Sequence, residues 1–140
     1  MKLIISTLLL VCLTTTVSGC VCDEGWAQAG DTKCFKFFEE SLPQDQHCGS
    51  SELARIDSME ENNVARNQIP TGVTTAWLGF RRPFNFTTGF TRWRIGEPNG
   101  FGGKYGYENC VEMKRRRGVW NDVVCNKQMP AICSKDCQQQ

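Results

Sequence analysis

Residues 108–125 of the chain read ENCVEMKRRRGVWNDVVC. Apolar residues in this stretch flank a short basic segment that contains Gly118, so residues 110–114 and 119–123 predict two strands of a hairpin that turns at residues 115–118. Glu108 stands just before the first strand, and Trp120-Asn121-Asp122 lies on the second strand. The stretch therefore presents polar side chains on a rigid pair of strands.

A long irregular segment precedes this hairpin. Residues 81–107 are interrupted repeatedly by Gly, Pro, Asn and Thr, and the segment is too long to be a simple connector, which indicates a functional loop. It contains Glu97-Pro98-Asn99. Alone, Glu-Pro-Asn is an ordinary turn tripeptide and Trp-Asn-Asp can end any strand. A functional role for these residues is indicated only because both motifs occur in one chain that also has a framework of cysteines.

Five residues of the loop and hairpin offer only carboxylate or amide groups as ligands. They are Glu97, Asn99, Glu108, Asn121 and Asp122. Calcium is a hard cation that prefers six to eight oxygen ligands, so this set predicts a calcium site. A carboxylate accepts hydrogen bonds and an amide nitrogen donates them. A sugar with two adjacent hydroxyls can therefore share the ion with these residues, exchanging hydrogen bonds with Glu97, Asn99, Glu108 and Asn121.

The amino terminus has the pattern of a secretory signal peptide. Lys2 is followed by an apolar run over residues 3–13 and by small polar residues up to Gly19, after which we expect cleavage. The apolar run is too short to span a bilayer. We therefore expect a secreted, extracellular protein that does not insert into a membrane, with residues 20–140 as its single domain.

Charge and length narrow the classes of function. The chain has 16 Lys and Arg against 15 Asp and Glu, and loss of Lys2 with the signal peptide makes the mature chain formally neutral. This balance argues against bulk binding of nucleic acid. The remaining length suits one domain with a modest core.

Eight cysteines remain after removal of the signal peptide, which contains Cys12. They are Cys20, Cys22, Cys34, Cys48, Cys110, Cys125, Cys133 and Cys137. An even number in a small secreted domain predicts a disulfide framework, although spacing alone does not choose the pairing. The spacings at the two ends do not match a zinc site.

Further elements can be placed by their patterns. Residues 33–38 and 75–80 predict strands, and residues 130–133 begin a last strand. Ser41 with Gln44, and Ser58 with Glu61, each form the pattern of a capping box. Two short helices are therefore expected, the first containing His47 and Cys48 and the second ending near residue 67.

Taken together, these features resemble a C-type lectin-like domain over nearly the whole mature chain. The features that carry the resemblance, in order, are Cys22 to Trp26, Cys34, Cys48, Trp77-Leu78-Gly79, Trp93, Glu97-Pro98-Asn99, Glu108-Asn109-Cys110, Trp120-Asn121-Asp122, Cys125 and Ile132-Cys133. The resemblance implies an α+β fold with two short helices, antiparallel sheets and a long ligand-binding loop, with a core over about residues 22–135. It also implies disulfides Cys22–Cys34, Cys48–Cys133 and Cys110–Cys125, and a cis peptide before Pro98.

In that family Glu-Pro-Asn accompanies binding of mannose-type sugars such as mannose, N-acetylglucosamine and fucose, whereas Gln-Pro-Asp accompanies galactose. The expected partners are therefore mannose-type glycans on microbial or cell surfaces. Members with further calcium sites carry acids in the long loop, but residues 81–94 contain none, Gly100 follows Asn99, and Asn109 stands where Asp is common. We expect one calcium ion. Because one sugar on one ion binds weakly, useful binding needs several sites, which leaves a homo-oligomer open.

Some features have two interpretations. Cys20 and Cys137 either bridge the chain ends or link two chains as a dimer. The aromatic residues Phe101, Tyr105 and Tyr107 either lie beside the sugar or pack into the core. The basic turn at residues 114–117 either meets sulfates or phosphates on an anionic glycan or is a solvated hairpin tip.

Two other functions compete with the lectin interpretation. An enzyme is disfavoured, because His47 is the only histidine and calcium would hold Glu97 and Glu108 ionised, leaving no acid for glycoside hydrolysis. The main alternative is a lectin-like module that binds a protein or another surface without sugar. Asn85-Phe86-Thr87 is a sequon, so glycosylation at Asn85 is expected in a secreted chain.

Overall fold

The structure, a computed structural model, describes residues 19–140. The predicted signal peptide falls almost entirely outside the described residues. Strand and helix bounds are β1 Cys20–Val21, β2 Ala27–Ala29, β3 Lys33–Leu42, β4 Glu52–Leu53, α1 Met59–Gln68, β5 Thr75–Arg81, β6 Cys110–Lys114, β7 Val119–Val123, β8 Met129–Asp136 and β9 Gln138–Gln139. Within residues 19–140, no helix has the length and apolarity needed to cross a membrane.

Seven strands form the main sheet in the order β2-β3-β8-β5-β6-β7, with β4 paired to β8. The neighbours are antiparallel except for β5 and β8, which are parallel. β1 and β9 pair separately and bring the two chain ends together. The predicted hairpin is confirmed, since β6 and β7 have the predicted bounds and put Glu112 opposite Asn121 and Val111 opposite Asp122.

The core lies around β5, which is buried along most of its length. Trp77 and Trp120 are fully buried. In the predicted Trp-Leu-Gly segment, a Cβ on Gly79 would lie 2.5 Å from the carbonyl oxygen of Leu53, and the Gly79 N–H donates to the Ala54 carbonyl at 2.8 Å. The close crossing of β5 and the β4 segment therefore requires glycine at this position.

The second predicted helix is confirmed as α1. The Ser58 hydroxyl caps it by accepting from the Glu61 N–H at 3.1 Å. The Glu61 carboxylate accepts from the Asp57 N–H at 2.7 Å, one residue before the predicted donor. Capping thus fixes where α1 begins.

The first predicted helix is wrong as an α-helix. β3 continues through Ser41 to Leu42, and only a 3-10 turn at Gln44–Gln46 follows. The Gln44 side chain does not cap; it is buried and donates to the carbonyls of Leu78 and Phe80 at 2.8 and 3.1 Å. Tertiary hydrogen bonds to β5 therefore replace the local capping box.

His47 and Cys48 lie after this turn rather than in a helix. The His47 Nε2 lies 3.1 Å from the Leu42 carbonyl oxygen and 3.0 Å from that of Met129, which is a structural role at the end of the sheet. Cys48 has a φ of 76°, a left-handed conformation, and its carbonyl accepts from the Ser51 N–H at 2.8 Å to begin the next turn.

The eight cysteines described lie in four pairs at bonding distance within the chain. The pairs are Cys20–Cys137, Cys22–Cys34, Cys48–Cys133 and Cys110–Cys125. The Cα atoms of Cys20 and Cys137 are 5.4 Å apart, because β1 and β9 pair beside them. Of the two alternatives for Cys20 and Cys137, the structure therefore has the bridge within one chain.

Candidate calcium and carbohydrate site

Asp122, near the end of β7, is the fixed centre of the site. Its side chain is fully buried, and its Oδ1 accepts from the Asn99 N–H at 3.1 Å. Its Oδ2 accepts from the Gly100 N–H at 2.8 Å and from Arg82 Nη2 at 2.9 Å. The hairpin thereby holds the loop around Glu97-Pro98-Asn99 through backbone hydrogen bonds to one buried carboxylate.

The loop is also tied to β7 by its own backbone. The Arg94 N–H donates to the Trp120 carbonyl at 2.8 Å, and the Glu97 N–H donates to the Arg94 carbonyl at 2.9 Å. The Glu97 Oε2 accepts from the Asn99 N–H at 3.2 Å. The peptide before Pro98 is cis, as the resemblance implies.

Glu108 reaches the same region from just before β6. Its N–H donates to the Gly100 carbonyl at 3.1 Å, which places it beside the Glu-Pro-Asn loop. Its Oε2 is buried and has no hydrogen-bond partner among residues 19–140. A buried carboxylate oxygen without a donor is costly, so this atom is suited to a cation.

Asn121 is oriented by Glu112, a residue that no sequence pattern marked as part of the site. Glu112 is fully buried, lies opposite Asn121 across the hairpin, and accepts from its Nδ2 at 3.0 Å. Thr75 and Lys114 also donate to it. Burial acts to raise the pKa of Glu112, but the hydrogen bonds from Lys114, Thr75 and Asn121 outweigh it and hold the pKa below 4.5. Glu112 thus stays ionised and keeps the Asn121 amide nitrogen turned toward itself. The hairpin register was the available signal for this contact.

The carboxylates of the site repel one another. Burial raises the pKa of Glu97 above 4.5, Asp122 adds to the rise, and the Asn99 N–H acts in the opposite direction. Burial also raises the pKa of Glu108, with further increases from the charges of Asp122 and Glu112. Both groups therefore favour an added positive charge.

Arg82 supplies one such charge from within the chain. Its guanidinium forms the ion pair with Asp122 and lies 4.6 Å from the ring centre of Phe84. It also lowers the pKa of Glu108, though by less than the acids raise it. No sequence pattern predicted this contact, which arises from the packing of the loop start against β7.

The carboxylate and amide oxygens of the candidate metal-binding residues are the ligand types that calcium prefers. Within the described part of the chain, Glu97 Oε1, Glu108 Oε2 and Asn121 Oδ1 take part in no hydrogen bond, so each retains its capacity as a ligand. Asp122 shares its oxygens with backbone donors and Arg82. The oxygens of Glu97, Glu108 and Asp122 do not all lie within 4.8 Å of one another. A common ion therefore requires side-chain adjustment, and Asp122 is the member fixed in place.

The aromatic residues of the loop insert lie on the surface. Phe101, Tyr105 and Tyr107 are 62%, 71% and 73% exposed, so they are not packed into the core. Phe101 and Tyr107 meet edge to face at 5.9 Å. A pocket of about 440 Å³ joins Tyr105 to Glu108, so aromatic surface adjoins the candidate ligands.

The other candidate residues lie apart from the site. Asn85 is exposed, and its backbone carbonyl accepts from Arg55 Nη2 at 2.5 Å. Glycosylation there stays a prediction. Among residues 19–140, the set of three possible metal-ligand side chains grouped within 4.8 Å is Cys20, Cys22 and Cys34, and all three are in disulfides.

Comparison with known proteins identifies the class. The profile of the Lectin C-type domain family matches residues 45–135, which is more than half of the chain. The chain therefore belongs to the C-type lectin domain family. This family is a non-enzymatic class of carbohydrate-binding domain, which agrees with the expectation that the chain is not an enzyme.

Individual relatives are more distant. The chain is 31% identical over 128 residues to the C-type mannose receptor 2 of Mus musculus, which covers 81% of this chain but 8% of that protein. The cow CD23 carbohydrate-recognition domain, solved in the presence of a GlcNAc2Man3 oligosaccharide, matches with a TM-score of 0.70 at 26% identity, covering 85% of this chain and 98% of that one. A calcium-independent type II antifreeze protein also has a TM-score of 0.70, at 21% identity and covering 86% and 98% of the two chains.

Proposed function

We propose that this chain is a secreted, calcium-dependent lectin that binds mannose-type sugars. The observation that carries the proposal is the buried, unpartnered carboxylate oxygen of Glu108 beside the Glu97-Pro98-Asn99 loop, which buried Asp122 holds through the N–H groups of Asn99 and Gly100. The acidic set favours a cation and leaves acceptor oxygens for it. The family match supports carbohydrate as the ligand.

The residues of the site would bind the sugar through two kinds of contact, coordination by the calcium ion and hydrogen bonds from their own side chains. When bound, calcium supplies direct coordination to two adjacent sugar hydroxyls. Glu97 and Glu108 accept hydrogen bonds from those hydroxyls, and the amides of Asn99 and Asn121 donate to them. Glu112 keeps Asn121 in a fixed orientation, so its amide loses less freedom on binding.

One calcium ion is proposed. Residues 81–94 contain no acid, and Gly100 follows Asn99. Arg82, in that same segment, is basic and pairs with Asp122, so this segment supplies no carboxylate for a second ion. This charge distribution supports a single site.

A mannose-type ligand is supported from two directions. Glu97 before Pro98 and Asn99 after it place an acceptor and a donor in the order that the family resemblance associates with mannose-type sugars. One related structure was obtained in the presence of a mannose-containing oligosaccharide. A single sugar should bind with a Kd on the order of 1 mM, so we propose microbial or cell-surface glycans as multivalent partners.

The alternative is a surface-binding module without sugar. The antifreeze neighbour shows that the same fold occurs in proteins with other names and tasks. The acidic set and the unpartnered Glu108 oxygen favour the lectin over this alternative.

The test is retention of the purified chain on immobilised mannan. We expect retention in calcium, elution by a chelator and by free mannose, and no elution by galactose at equal concentration. A folded chain that takes up calcium but is not retained on mannan would favour the alternative module. A chain that takes up no calcium would contradict the proposed metal site.

Calcium binding should also depend on pH. Burial and the neighbouring acids raise the pKa values of Glu97 and Glu108 in the folded chain, so their ionisation lowers the stability of the metal-free fold as the pH rises through the raised pKa values. Calcium removes this cost at neutral pH, and protons compete with it in acid. We expect calcium to raise the melting temperature at pH 7.5, and we expect this gain to shrink on acidification as protons occupy the carboxylates of Glu97 and Glu108.

The measurement is thermal denaturation with calcium and with chelator across that pH range. Equal melting temperatures in the two conditions at neutral pH would contradict the proposal. So would a calcium-induced gain that persists unchanged to pH 4.5.

A further inference from the structure

A basic cleft lies beside β7, the last strand of the main sheet. It has a volume of about 940 Å³ and lies between residues 92–95 of the loop and the tip of the β6–β7 hairpin. Its charged lining residues are Arg92, Arg94, Lys114, Arg116 and Arg117, and no acidic residue lines it. The cleft thus concentrates positive charge in a protein whose total charge is close to zero.

The arginines of this basic cleft differ from most others in the chain. Arg55, Arg66 and Arg115 donate to backbone carbonyls. Within residues 19–140, the guanidinium groups of the cleft form no hydrogen bond and no ion pair; these are Arg92, Arg94, Arg116 and Arg117. Lys114 pairs with Glu112. Four cations therefore share one cleft with their donors directed to no protein acceptor.

The backbone of the loop and of β7 connects the basic cleft to the candidate sugar site. The Trp120 N–H donates to the Arg92 carbonyl at 2.7 Å, and the Arg94 N–H returns a bond to the Trp120 carbonyl. Asn121 follows Trp120 directly, and the Glu97 N–H bonds the Arg94 carbonyl. One backbone segment thus forms a wall of the basic cleft and leads into the Glu-Pro-Asn loop.

The lining favours a chain of anionic sugars over other ligands. No carboxylate or side-chain amide lines the basic cleft, so it lacks the groups that orient the hydroxyls of a neutral sugar. Guanidinium groups bind sulfate oxygens with paired hydrogen bonds. Ile95, which is 99% exposed, offers apolar contact to the C–H faces of sugar rings.

Nucleic acid is a poorer fit. Base stacking needs a free aromatic face. Trp93, the aromatic residue in the lining, is half-buried, with its ring 5.2 Å from Phe84 and 5.9 Å from Trp120.

We propose that the basic cleft binds a sulfated polysaccharide whose chain runs past the candidate sugar site. This proposal extends the proposed function by naming a glycan that contacts both the basic cleft and the candidate sugar site. It rests on the proposed function only for the contact at the sugar site. Binding in the basic cleft itself needs no calcium, because its donors are arginines.

The test uses a heparin-derived octasaccharide and the purified chain in the presence of a chelator. The double variant Arg94→Gln, Arg117→Gln removes one charge from each wall without touching the backbone bond of Arg94. We expect binding that weakens with added salt, and a loss of about tenfold or more in affinity in the double variant. Arg94→Gln and Arg117→Gln are also measured singly against Arg81→Gln, which removes one charge from an exposed residue that lies outside the cleft and forms no ion pair within the described chain. The effect of Arg81→Gln should stay below about twofold.

Several results would overturn the proposal. They are no binding of the octasaccharide, an equal loss in the control variant, and equal affinity for single-stranded DNA of matched charge. The double variant should keep the wild-type melting temperature, and Arg94→Lys with Arg117→Lys should restore part of the affinity, which excludes misfolding as the cause of the loss. Mannan retention in calcium is measured in parallel. Its failure alone contradicts the proposed function, whereas failure of the octasaccharide alone contradicts the role of the basic cleft.

Discussion

Glu108→Gln should abolish calcium-dependent binding to mannan without weakening the metal-free fold. Glutamine keeps the size of the side chain but removes the negative charge of the Glu108 carboxylate, whose pKa is raised by burial and by the charges of Asp122 and Glu112. Loss of one carboxylate ligand should lower calcium affinity by about 100-fold, equivalent to about 3 kcal/mol. The melting temperature in chelator should stay equal or rise, and the calcium-induced gain should vanish. Thermal denaturation and mannan retention measure the two effects.

The matched control is Glu40→Gln. Glu40 is exposed on β3 and its side chain forms no hydrogen bond or ion pair within residues 19–140. This variant also removes one negative charge, but on β3 and away from the site. Calcium should therefore stabilise the Glu40→Gln variant as much as the wild type. If Glu108→Gln retained the calcium-induced gain, Glu108 would not be a ligand.

The double variant Glu97→Gln, Asn99→Asp should reverse the sugar preference. The exchange swaps an acceptor and a donor across Pro98 while keeping the number of carboxylates, so calcium binding should persist. The structure indicates that the loop tolerates the change, because each new side chain keeps an acceptor oxygen. In the wild type, the Glu97 side chain accepts from the backbone N–H of Asn99 and the Asn99 side chain accepts from the Phe101 N–H, at 3.2 Å each. The introduced glutamine and aspartate can accept the same two bonds.

The expected magnitude follows from the hydrogen bonds exchanged. Mismatch of one or two of them should weaken mannose binding by about tenfold or more, at about 1 kcal/mol for each bond. Elution of the mannan-bound protein by mannose and by galactose provides the comparison. Asn99→Asp alone is the control that adds charge without reversing the pattern. Unchanged preference for mannose together with intact calcium binding would show that this pair does not select the sugar.

These variants separate two properties that the site combines. Asp122 organises the loop by accepting hydrogen bonds from backbone N–H groups and is fully buried. Glu97 and Glu108 contribute mutual repulsion instead, which a cation relieves. Substitution of Asp122 would therefore disturb folding and binding together, which makes Glu108 and Glu97 the more informative positions.

Much of the fold followed from local patterns. The bounds of β6 and β7 were predicted from two apolar runs around a short turn, and the start of α1 from the Ser58 cap. The resemblance placed the cis peptide before Pro98 and the cysteine pairs at disulfide distance. These features depend on neighbouring residues or on motifs carried by the chain itself.

The first helix shows where local patterns failed. Ser41 and Gln44 satisfy the spacing of a capping box, but Gln44 bonds carbonyls of β5 that are more than 30 residues away. A buried tertiary acceptor pair stabilises the side chain more than a helix terminus open to solvent, so β3 continues to Leu42. No local pattern carries that information.

The amino-acid sequence alone defined the candidate ligands, their acceptor and donor chemistry, and the strands that carry them. The tertiary structure was needed to show that Asp122 is buried and paired with Arg82, that Glu112 orients Asn121, and that the loop arginines meet the hairpin tip in one cleft. The physical reason is that some of these properties depend on residues close in the sequence and others on residues far apart in it. Hydrogen-bond chemistry and turn geometry belong to each residue and its neighbours, whereas burial and charge repulsion depend on which distant segments the sheet brings together.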